Sequence, residues 1–260
     1  MEAICLIAAL GACVIGKICG MGGGVIIKPA MDAAGLMSVA AVNFISGCTV
    51  VSMTCWSVGK SVVKKESQID WAISTPLAVG AAFGGLLGKQ LFSVVASLFA
   101  NQNTAGGVQA ALLGIATALT MLYTLKKDHI TARQVRFKLS CAMIGLGLGV
   151  LGTFLGIGGG PFNMAVLYYF FSMSTKIAAQ NSLYVILVSQ VVGLLWTAIG
   201  QGIPSVDTPL LLGMMVCGIA GSEVGGQINR YLSEKRVTEL FIAVMALVLA
   251  ICAYNIFKYW

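Results

Sequence analysis

The stretch GKICGMGGGVIIKPAM, residues 16–31, decides the fold, because three consecutive glycines interrupt an otherwise apolar run. A second stretch, GTFLGIGGGPFNMAVL at residues 152–167, repeats this interruption 136 positions later. Glycine in a helix interior costs about 1 kcal/mol relative to alanine. The same costly feature in two hydrophobic segments therefore favours a non-helical backbone at both places.

The composition indicates a membrane protein. Of the 260 residues, 58% are hydrophobic and 10% are charged, whereas about 25% of the residues are charged in a soluble domain. Most of the apolar runs approach the roughly 20 residues that a membrane-spanning helix needs, and two are too short. We therefore predict an all-α, multi-pass integral membrane protein. The runs are 4–19, 25–36, 39–58, 71–100, 105–125, 139–155, 161–171, 177–199, 209–228 and 237–257.

The basic residues are concentrated in three loops. The loops around 59–70, 126–138 and 229–236 hold eleven of the sixteen Lys and Arg residues, while those at 101–104 and 200–206 hold none. Cytoplasmic loops are enriched in Lys and Arg, so we expect these three loops in the cytoplasm and both termini outside, in the cell (inner) membrane. This topology accounts for the net charge of +7. We therefore expect the lipid bilayer as a partner and no nucleic acid.

An internal repeat relates the two halves of the chain. At an offset of 136, the first triglycine, Gly22–Gly24, falls on the second, Gly158–Gly160. After a two-residue insertion, AAVN at 40–43 meets AAQN at 178–181. The shared order of these segments indicates two repeats rather than chance similarity.

The predicted transmembrane repeats cover 1–125 and 137–260, with a basic cytoplasmic linker at 126–136 between them. Each repeat contains about five apolar helical segments, and this odd number reverses its orientation, as the charge asymmetry also indicates. Inverted-topology repeats of this kind recur in transporters. The sequence leaves two counts open: eight full spans with two short or re-entrant segments, or ten spans in all.

The two glycine-broken helices predict a binding site for an anion. Inside a membrane, backbone that leaves the helix is tolerated only where it is buried in protein or lines a watery cavity. A helix that begins after each triglycine would direct free N–H groups and its positive dipole end at the break. Such helix ends bind anions, and inverted repeats would bring both ends together near the midplane. Close helix packing through GxxxG spacing is the alternative.

The same stretches resemble those of a known family. GKICGMGGGVIIKP (16–29) and GTFLGIGGGPF (152–162), each followed by an A-A-x-N segment, resemble the sulfite exporter TauE/SafE family of membrane permeases. The resemblance covers nearly the whole chain. It implies transport of sulfite, of an organosulfonate such as sulfoacetate or a taurine derivative, or of a related sulfur oxyanion. AAQNSLYV (178–185) is similar to the family's A-x-A-T-S-L segment, whereas AAVNFISG (40–47) departs from it.

Polar side chains near the breaks complete the predicted substrate-binding site. Lys28 lies one turn beyond the first triglycine, and a lysine inside a membrane is costly unless it faces a cavity or a partner such as Asp32. Asn43 and Asn181 occupy equivalent positions in the two repeats. Their carboxamides can donate to oxyanions without a permanent charge, or can join helices. The predicted substrate-binding residues are Gly22, Gly23, Gly24, Lys28, Asn43, Gly158, Gly159, Gly160, Asn163, Asn181 and Ser182.

Glu223 is the candidate for proton coupling, because an intramembrane carboxylate is a functional candidate by default. Its position two turns from Arg230 leaves an interfacial role open. We expect no enzyme activity, no cofactor and no bound metal, since the sequence has one histidine, in a loop, and no HExxH motif.

The predicted function is secondary transport of a small sulfur-containing anion by alternating access. An anion channel on the same scaffold and a non-transporting membrane subunit are the alternatives. The sequence leaves open the exact substrate, the direction, the coupling ion and the oligomeric state.

Overall fold

The computed structural model describes residues 2–34, 37, 39–97, 102–127, 130–156, 159–200 and 202–259. Helices form most of this part of the chain, which confirms the all-α prediction. The helices are α1 (Glu2–Cys19), α2 (Gly24–Ala34), α3 (Val39–Val63), α4 (Trp71–Ser97), α5 (Gln102–Lys126), α6 (Lys138–Phe154), α7 (Gly160–Phe171), α8 (Thr175–Gly200), α9 (Thr208–Tyr231) and α10 (Glu234–Tyr259).

Among these, six helices are long and apolar enough to cross a membrane: α3, α4, α5, α8, α9 and α10. Large apolar side chains on their outer faces are exposed, for example Ile115 and Leu119 on α5 at 60% and 63%. A contiguous apolar surface of this kind marks contact with lipid or with another apolar partner. The chain is therefore a multi-pass membrane protein.

The two short helices fold back along the helices that precede them. The N–H groups of Arg133 and Val135, just before α6, donate to the carbonyls of Tyr169 and Phe170 at the end of α7, at 2.7 and 2.9 Å. The end of α7 therefore lies beside the start of α6. In the first half, Met31 of α2 shares a buried apolar cluster with residues near the start of α1.

The described chain has six long helices and two hairpins, α1–α2 and α6–α7. At 1.5 Å per residue, the 18 residues of α1 and the 17 of α6 reach about 27 and 26 Å, which lies near the roughly 30 Å of the hydrocarbon core. The number of full spans, eight or ten, therefore stays a prediction.

Each hairpin packs against a long helix of the other half, through close contacts at glycine. A Cβ on Gly84 of α4 would lie 2.1 Å from the carbonyl oxygen of Leu146 on α6. A Cβ on Gly221 of α9 would lie 2.7 Å from the carbonyl oxygen of Leu10 on α1. Small residues let membrane helices approach this closely. The two contacts occupy corresponding positions in the two halves, as the predicted repeat requires.

The corresponding long helices α3 and α8 run in opposite directions. Gly47 of α3 lies against Leu194 of α8, while Val50 and Ile186 meet at Gly22. A later position on α3 therefore faces an earlier position on α8. This relation supports the predicted inversion of the repeats; the boundaries 1–125 and 137–260 stay a prediction.

Candidate functional site

Both triglycine segments interrupt the helix, as the sequence predicted. Gly23 and Gly159 provide the carbonyls that accept from the N–H groups of Ile27 and Asn163, at 3.0 and 2.9 Å, and so open α2 and α7. The new helices begin at Gly24 and Gly160, which are 136 positions apart. In each half a helix therefore begins at the last glycine of the triplet.

Each helix break contacts residues of the other half of the chain. A Cβ on Gly160 would lie 2.1 Å from the carbonyl oxygen of Met21 in the first break. Gly20 adopts a φ of +69°, and a Cβ there would lie 2.4 Å from Cα of Ala179 on α8. Glycine alone tolerates both the left-handed backbone and the close approach. The two breaks therefore lie next to each other, and their convergence near the membrane midplane stays a prediction.

Two polar side chains hold the backbone at the ends of the breaks. The Ser182 hydroxyl, which is fully buried, donates to the carbonyl of Gly20 at 2.6 Å. The Gln109 amide on α5 donates to the carbonyl of Phe154, the last residue of α6, at 2.7 Å. Carbonyls freed by a helix end need such partners inside a membrane. Sequence reasoning missed Gln109, although a carboxamide within the apolar run of α5 is a signal for such a role.

A cavity of about 830 Å³ lies beside the second break. Its wall includes the backbone of Gly156 and Gly159 and residues from α2, α3, α4, α5, α8 and α10. Of the lining residues that the structure describes, two are lysines and none is acidic. The cavity therefore has a positive field that favours small anions. The polar lining side chains are Lys28, Asn43, Lys89, Gln109, Thr153, Asn163, Ser189, Gln190 and Thr197.

Lys28 connects the first half of the chain to the second break. It lies in the second turn of α2, lines the cavity, and donates from Nζ to the carbonyl of Gly156 at 3.3 Å. The side chain of Asp32, its predicted alternative partner, lies outside the described residues. Lys89 of α4 also lines the cavity and donates to Thr197 at 3.3 Å. The sequence did not single out Lys89, because it lies near the end of its apolar run.

The predicted binding residues fall into three groups. Lys28, Asn43, Gly159 and Asn163 line the cavity; Asn43 is exposed, whereas Asn163 is 4% exposed. A second group builds or supports the breaks without lining the cavity: Gly22, Gly23, Gly24, Gly160 and Ser182. Gly158 lies outside the described residues.

Asn181 forms the third group by itself, because it lies away from the cavity. It is fully buried, and its carboxamide is hydrogen-bonded to the segment that precedes α4, including the N–H of Asp70 at 2.9 Å. Its repeat partner Asn43 faces the cavity. Two equivalent amides therefore occupy different environments.

Glu223 lies in a polar cluster outside the cavity lining. Its carboxylate pairs with Lys60 of α3, accepts from the indole N–H of Trp56 at 3.0 Å, and accepts from Gln227 at 3.2 Å. The side chains of the pair are about one-third exposed, at 32% and 30%. The cluster joins α3 to α9.

The fold and this site define a class of protein, a multi-pass membrane permease with interrupted helices around a polar cavity. A family model described as Sulfite exporter TauE/SafE matches residues 5–251, nearly the whole chain. The chain belongs to this family, which is a family of membrane transporters. No curated protein and no solved structure matches the chain.

Proposed function

We propose that this protein is a secondary transporter that moves a small sulfur-containing anion by alternating access. The substrate is sulfite or an organosulfonate such as sulfoacetate or a taurine derivative. One observation carries the proposal: a cavity beside the contacting helix breaks contains two lysines and no acidic residue among its described lining. The family description names sulfite export, and the charge of the cavity agrees with that class of substrate.

The size of the cavity bears on the choice of substrate. Its 830 Å³ lies within the range of about 300–1,000 Å³ that is typical of sites for drug-sized ligands. Sulfite alone would leave most of this space to water, whereas an organosulfonate would fill more of it. Binding screens therefore need both kinds of anion.

The donors around the cavity suit an anion that must be released again. Lys28 supplies a full charge at the cavity wall and donates to the Gly156 carbonyl at 3.3 Å. The carboxamides of Asn43 and Asn163 line the same space and add donors without charge. Several cations around one anion would bind it too tightly for turnover.

We infer that the cavity opens at the loop between α8 and α9 and is closed on the other side, which favours a carrier over a channel. Its mouth includes Gly202, Ile203 and Pro204 of the loop between α8 and α9, the loop that has no Lys or Arg. With the basic loops in the cytoplasm, this mouth faces outside. On the other side, the buried hydrogen bonds of Asn181 tie α8 to the segment before α4.

Proton coupling through Glu223 stays part of the proposal as a hypothesis. The carboxylate is paired with Lys60 and lies outside the cavity lining. Coupling would therefore require Glu223 to act on helix movement between α3 and α9, and not on the anion directly.

The test of the proposed function uses purified protein and reconstituted vesicles. Sulfite, sulfoacetate, taurine and sulfate are each assayed for thermal stabilisation and for saturable, counterflow-capable flux, because a ligand of the folded state raises its apparent stability. We expect stabilisation by sulfite or sulfoacetate, its loss in Lys28→Gln and partial retention in Lys28→Arg. Lys64→Gln in an exposed loop is the matched control. Unchanged anion binding by Lys28→Gln would contradict the proposed site, and an ohmic current would indicate a channel.

A further inference from the structure

On the side of the molecule opposite Gly202–Pro204, a buried carboxamide joins the two halves of the chain. The oxygen of Asn181 accepts from the N–H of Asp70 at 2.9 Å and from the hydroxyl of Ser74 at 2.6 Å. Its nitrogen donates to the carbonyls of Gln68 and Ile177 at 3.1 and 2.7 Å. Three of these four bonds join α8 to the segment before α4 and to the first turn of α4. Asn181 is therefore a clamp between the two halves of the chain.

The equivalent residue of the first half, Asn43, lies in the opposite situation. It is exposed and lines the open cavity, and the segment before α9 forms the mouth of that cavity at Gly202–Pro204. Asn181 is therefore buried between the two halves of the chain, whereas Asn43, at the corresponding position of the first half, is exposed to solvent. This difference between two corresponding residues is what alternating closure of two gates would produce.

A hydrogen-bond partner for Asn43 is available in the second half, at Asp207, which corresponds to Asp70 in the first half. The first turn of α4 is capped by the carboxylate of Asp70, which accepts from Ala72 at 3.1 Å. The first turn of α9 is capped in the same way by Asp207, which accepts from Leu210 at 3.4 Å. The two aspartates correspond at an offset of 137, the same offset that relates Gly84 to Gly221 in the hairpin contacts.

We propose that Asn181 and Asn43 are the two gate-positioning residues of the transport cycle. Asn181 holds the side opposite the mouth closed in the state seen here, and Asn43 closes the mouth in the other state by accepting from the N–H of Asp207. The inference rests on the proposed alternating access, since two halves of related sequence can exchange conformations around a shared site. It gives Asn43 a role in closing the cavity, besides any contact with the anion.

The two gates are not equally strong. Ser74, which donates to Asn181, corresponds at the same offset to Leu211, which has no hydroxyl. The clamp of Asn43 on α9 therefore lacks one hydrogen bond that the clamp of Asn181 has. The structure has the Asn181 clamp closed.

The experiment measures access to the cavity from each side of the membrane. Ser189→Cys places a thiol on the cavity wall, and a membrane-impermeant maleimide labels it in vesicles of either orientation, with mass spectrometry of the labelled peptide as the readout. Asn181→Ala is expected to slow labelling from the mouth side and to speed labelling from the opposite side. Ser74→Ala, which keeps the buried amide, is expected to shift access in the same direction by about fivefold, the equivalent of one hydrogen bond.

Asn43→Ala is expected to leave labelling from the mouth side at or above the wild-type rate. Its sulfite flux falls because the mouth cannot close, and labelling from the opposite side becomes slower than in the wild type. Gln227→Ala, an exposed amide on α9 outside the cavity, serves as the matched control. Labelling needs no substrate, so the gates are tested even if sulfite is not transported.

Two results would overturn the proposal. In the first, Ser74→Ala is labelled from both sides at the wild-type rates, and so is Asn181→Ala if it folds. Asn181 would then only stabilise the fold. Wild-type flux in Asn43→Ala, with labelling from the opposite side at the wild-type rate, would mean that the mouth closes without this residue.

Discussion

Gly160→Ala tests whether the two helix breaks meet. Gly160 lies in a helix and does not have a positive φ. An alanine there therefore causes no backbone strain, and its effect depends only on the space around the added Cβ. An added Cβ would lie 2.1 Å from the carbonyl oxygen of Met21 and 2.9 Å from its carbonyl carbon. A carbon and a carbonyl oxygen in contact are about 3.3 Å apart, so the breaks must separate by about 1 Å. Overpacking of this kind costs about 1–3 kcal/mol.

Two other glycines of the same hairpin separate the steric effect from other effects of alanine. Gly147 in α6 has no atom within 4 Å of an added Cβ, so Gly147→Ala is expected to be neutral or to stabilise the helix by up to about 1 kcal/mol. Gly159 has a φ of +82° and ordinary space around its Cβ position, so Gly159→Ala adds backbone strain of about 1–2 kcal/mol. Only Gly160→Ala separates the breaks directly.

The assay follows thermal unfolding with a dye that becomes fluorescent on reaction with thiols. Cys13, Cys19 and Cys141 are buried, so they react only when the protein opens. We expect Gly160→Ala and Gly159→Ala to lower the apparent melting temperature and Gly147→Ala to leave it equal or higher. Anion flux should fall most in Gly160→Ala. A melting temperature of Gly160→Ala at or above that of the wild type would refute the contact between the breaks.

Three further substitutions test the supports of the site. Ser182→Ala leaves the carbonyl of Gly20 without its buried donor and should lower stability by about 1–3 kcal/mol, measured by the same thiol assay. Gln109→Leu should have a similar effect at Phe154 and should reduce sulfite binding, measured by thermal shift, because the second break loses its support. Glu223→Gln should preserve counterflow, because the carboxylate lies outside the cavity lining; selective loss of uptake driven by a pH gradient would instead make Glu223 the coupling carboxylate.

The helix breaks could be predicted from the sequence, because glycine leaves a local signal. Three consecutive glycines in an apolar run interrupt the helix whatever packs around them. Both new helices begin at the glycine that ends each triplet, Gly24 and Gly160. The hairpins could not be predicted in the same way. Whether α2 crosses or returns depends on its packing against α1, and hydropathy alone carries no information on direction.

The environment of each polar side chain was the least predictable part of the site. Asn43 and Asn181 have the same residue type and the same position in the repeat, yet one lines the cavity and the other is buried in a clamp. Ser182 was predicted to contact the anion, and its hydroxyl donates to Gly20 instead. In the proposed transport cycle, such differences arise because one side of the molecule is open while the other is closed.

The position of Lys28 explains how one interaction can serve both binding and structure. An ammonium inside a membrane is costly unless it has a polar partner or water, and here the Gly156 carbonyl and the open cavity provide both. An anion that takes Lys28 from that carbonyl changes the contact between the first half of the chain and the second break. Because a ligand shifts an equilibrium only through different contacts in the two states, this exchange is a direct way for the occupied site to favour movement of one half against the other.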